Sequence, residues 1–206
     1  MPAVIRELRA VLPEAEIVVV DDGSSDGTAA AAERAGARVL RHRFNRGYGA
    51  ALKTGILAAA HDTIVILDGD GTYPAQHIPA LVAELEKATM AVGARGGSDS
   101  AIPAARRPAK RMLNGLASLV AGARIPDLNS GLRAFRRQTV EPYFPILPDG
   151  FSWTTTITLA LVRDRQVVSY LPIGYRERIG RAKLGPWDTW RILLPILRAA
   201  WRRRGP

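Results

Sequence analysis

The chain has 206 residues, enough for one domain with a sizeable core or for a domain with a short appendage. It lacks cysteine, which excludes disulfides and thiolate metal sites, and its three scattered histidines (His42, His61, His77) argue against a histidine-rich metal centre, so any metal would rest on oxygen ligands. A net charge of +10, with 29 Lys+Arg against 19 Asp+Glu, points to an anionic partner (nucleic acid, a phosphorylated substrate or an acidic membrane surface), with plain solubility as the alternative.

Residues 3–12, AVIRELRAVL, have the apolar spacing of a helix, stopped by Pro13. EIVVVDDGSSDGT reads as a short buried strand and a turn, with Thr28 opening the Ala-rich helix AAAAERAG and Gly36 stopping it. RVLRH is a second strand, and NRGYGAALKTGILAAA is a glycine-rich loop running into a helix. TIVILDGD is a third strand, followed by helix IPALVAELEKA and strand MAVGAR. Beyond residue 96 come a polar loop, the helix MLNGLASLVAG, and IPDLNSGLRAFRR as a loop with a short element. FSWTTTITLALVRD has the β-branched run of a strand but the length of a helix, and is assigned helix. VVSYLPIGYRER is a strand that leaves into the basic loop IGRAKLGPWD, and WDTWRILLPILRAAWRRR is amphipathic.

Strands alternate with helices, and the strands are apolar without period-2 alternation. That is the pattern of a parallel sheet covered on both faces, whose ligands sit beyond the carboxyl ends of the strands. Two acidic clusters, Asp21-Asp22 and Asp68-Asp70, fall at such ends. Asp68 and Asp70, two residues apart at a strand-to-turn junction, fit either a pair of turn-capping carboxylates or a site for one hard divalent cation bridging diphosphate oxygens. Asp21 or Asp22 could accept hydrogen bonds from a base or ribose; an Asx turn explains Asp26 and Thr28 more readily than it explains them.

RFNRGYGAALKTG places Gly47 and Gly49 before a helix N-terminus, with Arg46 and Lys53 adding charge, although no Walker A sequence is present. DLNSGLRAF carries Asp127, Ser130, Gly131 and Arg133 on what reads simply as a solvated loop. In YRERIGRAKLGPW, Arg178, Arg181 and Lys183 surround Gly180 as either a phosphate clamp or a solvated basic loop.

Taken in order, VVVDDGSSDGT, NRGYGAALKTG, ILDGDGTYP, DLNSGLRAF and LPIGYRERIGRAKLGP resemble the family 2 glycosyltransferases of the GT-A fold, with polyprenol-phosphate glycosyltransferases such as the dolichol-phosphate mannosyltransferases as the kin most similar in motif. The resemblance covers Glu16 to about Trp187. It implies a Rossmann-like three-layer α/β/α fold with a predominantly parallel sheet over residues 1–186, followed by a basic amphipathic tail over 187–206. It implies inverting transfer of a sugar from a nucleotide-sugar donor to an acceptor such as a polyprenyl phosphate. It matches Asp21 and Asp22, with Gly49 and Lys53, to donor contacts, and Asp68 and Asp70 to the D-x-D motif that holds Mg²⁺ or Mn²⁺ on the donor diphosphate. Asp70, Asp127 and Arg133 are the expected catalytic set, and Ser130, Arg178, Arg181 and Lys183 the expected phosphate and acceptor contacts.

Two departures accompany the resemblance. Family members usually begin with a strand like VVIPAYNE, whereas this sequence starts at the helix that should follow it. Thr72 stands where a third metal ligand, often Gln, is expected, which predicts a site with two protein carboxylates.

No stretch reaches the roughly 20 consecutive apolar residues of a membrane span, and the N-terminus lacks a signal-peptide core, so a cytoplasmic location is expected. The tail's Trp187, Trp190 and Trp201 among Arg191, Arg198 and Arg202 to Arg204 suit a helix lying on an anionic bilayer at the inner membrane face, or one packed on the core with a solvated basic end. A truncated, inactive GT-A-like binding module is the competing reading of the whole chain. A sugar-phosphate nucleotidyltransferase would want a Gly-rich basic loop after its first strand, which is missing. A nucleic-acid binder would want aromatics interleaved in a recognisable module, so nucleic acid is not an expected partner.

Overall fold

The computed structural model describes residues 1–100 and 107–177. The elements run α1 (Pro2–Val11), β1 (Val18–Asp21), α2 (Thr28–Arg34), β2 (Arg38–Arg41), α3 (Tyr48–Ala58), β3 (Thr63–Ile66), α4 (Ile78–Ala83), β4 (Met90–Ser100), α5 (Arg107–Ala121), β5 (Arg133–Arg136), α6 (Arg137–Val140), α7 (Trp153–Arg163) and β6 (Val168–Tyr175). The ambiguous 151–164 stretch is thus helical over α7, where length and burial prevail over β-branching. The tail over 187–206 lies outside the described residues.

The central strands are buried on both faces, which is why they read as continuous apolar runs. Ile64, Ile66, Met90, Val92 and Phe135 point into one cluster with Ile56 of α3 and Trp153, Ile157 and Leu161 of α7. Val65, Leu67, Ala91, Ala134 and Ile173 point the other way, onto Ile5 and Leu8 of α1, Ala32 of α2 and Ile78 and Leu81 of α4. Helices on both sides of a central sheet form the three layers expected.

The described strands fall into two sheets. β1 pairs with β2 in parallel, and the other four follow the order β3-β5-β4-β6. β4 and β6 are parallel, while β5 runs antiparallel to both β3 and β4. β5 is the short element after the DLNSG loop. Among the described residues, β1 and β3 each bond to a strand on one side only. Their starts nevertheless lie together, because Glu16 accepts the Ala60 N–H at 2.7 Å and Arg38 donates to the Ala58 carbonyl at 2.9 Å.

Phe135 is 0% exposed between β3 and β4, with its ring against Trp153 at 6.4 Å. Phe135→Ala should cost about 3–5 kcal/mol, read as a lower urea midpoint with an unchanged m-value.

Candidate active site

β3 ends at Ile66, and its chain turns through Asp68, Gly69, Asp70 and Gly71. Of the two glycines, Gly71 is the one the backbone requires. Gly71 has φ 78°, and a Cβ on Gly69 would collide with the Met1 side chain at the start of α1. Asp70 Oδ1 accepts two hydrogen bonds from Thr72, from the backbone N–H at 3.1 Å and the hydroxyl at 2.7 Å. Thr72 is fully buried, so it acts as the brace that orients Asp70, a role the comparison with a missing third ligand overlooked.

Asp68 is held from two other segments. The Tyr48 hydroxyl at the start of α3 hydrogen-bonds to it; burial pushes the pKa of that hydroxyl well up, and the Asp68 charge pushes it further. The Tyr48 ring is fixed by stacking on Phe151 at 5.7 Å. Gly131 lies against the Asp68 carboxylate, since a Cβ there would stand 2.8 Å from both oxygens. The Tyr73 hydroxyl accepts the Gly131 N–H at 2.7 Å, and burial raises its pKa to about 12. Two carboxylates on one tight turn, each oriented by its surroundings, are a donor set that suits a hard divalent cation. Among the described residues no group of three or more His, Cys, Asp or Glu could hold a metal.

The DLNSG loop is wired into the core rather than solvated. Arg133 is 0% exposed; its guanidinium donates to the Ser130 carbonyl at 2.9 Å, the Leu128 carbonyl at 2.7 Å and the Thr158 hydroxyl at 2.7 Å. Burial lowers its pKa, against the weaker opposing pull of the surrounding tyrosines and of the Asp127 charge. It braces the loop. Asp127 is 1% exposed, with its two oxygens held by Arg95 at 2.7 and 2.8 Å and by the Arg95 N–H at 2.9 Å. Burial works against the Arg95 charge, yet Asp127 raises its pKa above the usual arginine value. Ser130 is buried, and its hydroxyl donates to the Gly93 carbonyl.

The glycine-rich loop is likewise packed on its own chain. A Cβ on Gly49 would strike the Pro148 carbonyl, and Lys53 donates to the Leu147 carbonyl at 2.6 Å and to Asp149 at 2.8 Å. Both residues dock the 147–150 segment instead of presenting an open anion loop. Asp22 is also occupied: it accepts the Arg46 and Gly47 N–H groups, each at 2.8 Å, and His42 Nδ1 lies at 2.7 Å. His42 Nε2 in turn meets the Thr54 hydroxyl at 2.9 Å. Asp21 is different. It lines an open cleft of about 240 Å³ with Gly23, Ser24, Arg41, His42 and Arg43. Arg178, Arg181 and Lys183 lie outside the described residues.

The model of the family described as "Glycosyl transferase family 2" matches residues 1–144. The chain is 33% identical over 181 residues to a dolichyl-phosphate hexose transferase of Haloferax volcanii, covering 84% of this chain and 75% of that one. It is 27% identical to an undecaprenyl-phosphate mannosyltransferase of Micrococcus luteus, covering 89% and 82%. Its fold is similar to the crystal structure of glucosyl-3-phosphoglycerate synthase from Mycobacterium tuberculosis in complex with Mn²⁺, UDP-glucose and phosphoglyceric acid, with TM-score 0.74 and 19% identity over 97% of this chain and 74% of that one.

Burial pushes the Asp22 carboxyl up, but the hydrogen bonds from His42, Arg46 and Gly47 outweigh it and hold the pKa below the ordinary value. Its stabilisation is therefore full at neutral pH and is lost as pH falls through the carboxylate range towards the folded pKa. Asp22→Ala should cost about 2 kcal/mol at pH 7 by urea unfolding, with the difference from wild type shrinking below about pH 4.

Proposed function

Because the chain belongs to glycosyltransferase family 2, we propose that it moves a sugar from a nucleotide-sugar donor onto a polyprenyl phosphate at a membrane surface, with Asp68 and Asp70 holding Mg²⁺ or Mn²⁺. The observation that carries this reading is the convergence of Asp68, Gly131, Tyr48 and Asp70 at the carboxyl end of β3, where an open α/β sheet places its ligands. The printed names of the Haloferax and Micrococcus relatives support the polyprenyl-phosphate acceptor, and the bound Mn²⁺ of the Mycobacterium structure supports the cation.

The Asp21 cleft takes the nucleoside end of the donor, with the carboxylate as hydrogen-bond acceptor. A bound divalent cation would supply charge neutralisation on the departing diphosphate. Thr72 keeps the Asp70 carboxylate in one orientation, and Tyr48 with Gly131 does the same for Asp68, so neither group has to reorganise during the reaction. Acceptor phosphate is already anionic near neutral pH and needs positioning more than a general base. Arg178, Arg181 and Lys183 are the cations proposed to meet it.

Release of nucleoside diphosphate from UDP-glucose and GDP-mannose, assayed with Mn²⁺ and a polyprenyl phosphate, tests the reading. Asp70→Ala should lower the rate at least about 10³-fold and EDTA should abolish it reversibly. Turnover that survives both the substitution and the chelator would overturn the cation site. Gly131→Ala, whose methyl group would displace the Asp68 carboxylate, should weaken Mn²⁺ binding by about 10-fold or more in titration calorimetry.

A further inference from the structure

Beside the segment that leaves the acidic turn, three ionisable side chains from different elements come together: Glu7 of α1, His77 just before α4, and Arg176 just past the end of β6. Glu7 accepts the Ala75 N–H at 2.9 Å and pairs with the Arg176 guanidinium at 2.7 and 3.1 Å, which holds the Glu7 carboxyl below its ordinary value. His77 Nε2 accepts the Gly174 N–H at 3.2 Å. That bond stands where the sheet stops serving β6. The ladder to β4 is regular from Met90–Val168 to Arg95–Ile173, and its register shifts immediately after. Gly174 is half-buried, and a ring nitrogen takes the place of a strand carbonyl as its partner. Two residues on, the Arg176 N–H donates to the Thr72 carbonyl at 2.9 Å. Thr72 gives its own N–H and hydroxyl to Asp70, so the end of β6 and the Asp70 carboxylate are joined through one buried residue.

We propose that His77 is a positioning residue for the transfer: its neutral ring holds Gly174, Gly174 fixes where Arg176 meets Thr72, and protonation of the ring releases the Asp70 turn. The proposal rests on the cation-site reading above and adds a proton-sensitive support to it. A ring nitrogen that accepts a hydrogen bond carries no proton. Once it gains one, the ring has only donors to offer, and the Gly174 N–H is left facing another N–H. Burial and the nearby Arg176 guanidinium both hold the His77 pKa below the ordinary histidine value. No other element supplies a counter-charge. Glu7 of α1 is taken by Arg176 and Ala75, Tyr175 of β6 turns to Tyr73 and Arg95, and α4 carries no ionisable side chain. The ring is therefore neutral at neutral pH, and the support is lost as pH falls through the folded pKa. The same strand end leads in sequence to Arg178, Arg181 and Lys183, so its placement also sets where those cations begin.

Transfer rates of the full chain measured from about pH 5 to 8 decide this, with two variants. His77→Gln keeps an acceptor for the Gly174 N–H and does not titrate, while His77→Leu removes the acceptor. The ratio of the wild-type rate to the His77→Gln rate cancels the titration of the substrate phosphate and of the carboxylates. It should be flat above about pH 7 and fall at least about 5-fold by about pH 5, the rate equivalent of one lost hydrogen bond. His77→Leu should be slower than His77→Gln by a similar factor at neutral pH. Proton NMR gives a readout independent of turnover. The His77 ring signal, assigned by its loss in His77→Gln, should titrate below about pH 6.5, and the Gly174 amide should shift with the same midpoint. A pH-independent ratio, equal rates for the two variants at neutral pH, or a Gly174 amide that ignores the ring's midpoint would overturn the proposal and leave the Asp70→Ala test of the cation site standing. If ring and amide titrate together but wild type is as inactive as Asp70→Ala, the His77–Gly174 latch stands and the transferase reading falls.

Discussion

The guanidinium of Arg133 sits in the middle of the sheet, hydrogen-bonded to carbonyls and a hydroxyl, and the polar groups that satisfy it dictate where the acidic turn can be. A buried cation is tolerable only if its N–H donors are bonded. Here those donors are met by the Leu128 and Ser130 carbonyls and the Thr158 hydroxyl, so the backbone of residues 128–130 must curl round the side chain. Arg95 fastens the start of the same curl through Asp127. With both ends tied, Gly131 has one place to be, and that place is against Asp68. The order of dependence runs from two arginines to a loop, from the loop to a glycine, and from the glycine to the carboxylate.

Much of the layer structure could be read in the sequence, because doubly buried strands must be apolar throughout and the helices between them are marked by Thr28, Gly36 and Pro13. β5 escaped that reading for a physical reason. Its four residues, RAFR, begin with an arginine, and arginine ordinarily marks solvent; only the tertiary arrangement of carbonyls around Arg133 makes burial affordable. The same blindness governs the site. Glycines before a helix look like an anion loop, yet Gly47 and Gly49 are small because the 147–150 backbone passes over them. Lys53 and Asp22 look like ligand groups until their carbonyl and amide partners are seen.

Asp68 and Asp70 were legible as a pair, while the residues that hold them were not. Thr72 carried a usable signal, since a threonine two residues after an aspartate is a common local hydrogen-bonding pattern. Tyr48 and Tyr73 carried none: their hydroxyls matter only because α3 and the turn after β3 converge on the loop that β5 drags inward. Sequence patterns report on periodic burial, and these contacts are aperiodic and distant along the chain.

The two-sheet arrangement has a colloidal side. The outer strand β2 begins and ends on Arg38 and Arg41, and the edge strand β6 contains Pro172, both ordinary means of blunting an edge against a foreign strand. β1 and β3, each bonded on one side only among the described residues, are Val18–Asp21 and Thr63–Ile66, with no proline and no basic residue. What keeps such edges apart between molecules is long-range repulsion from a net charge of +10, which acts over about 10 Å at 0.1 M salt and fades above it. Dilute buffer preserves that repulsion, and concentrated salt screens it.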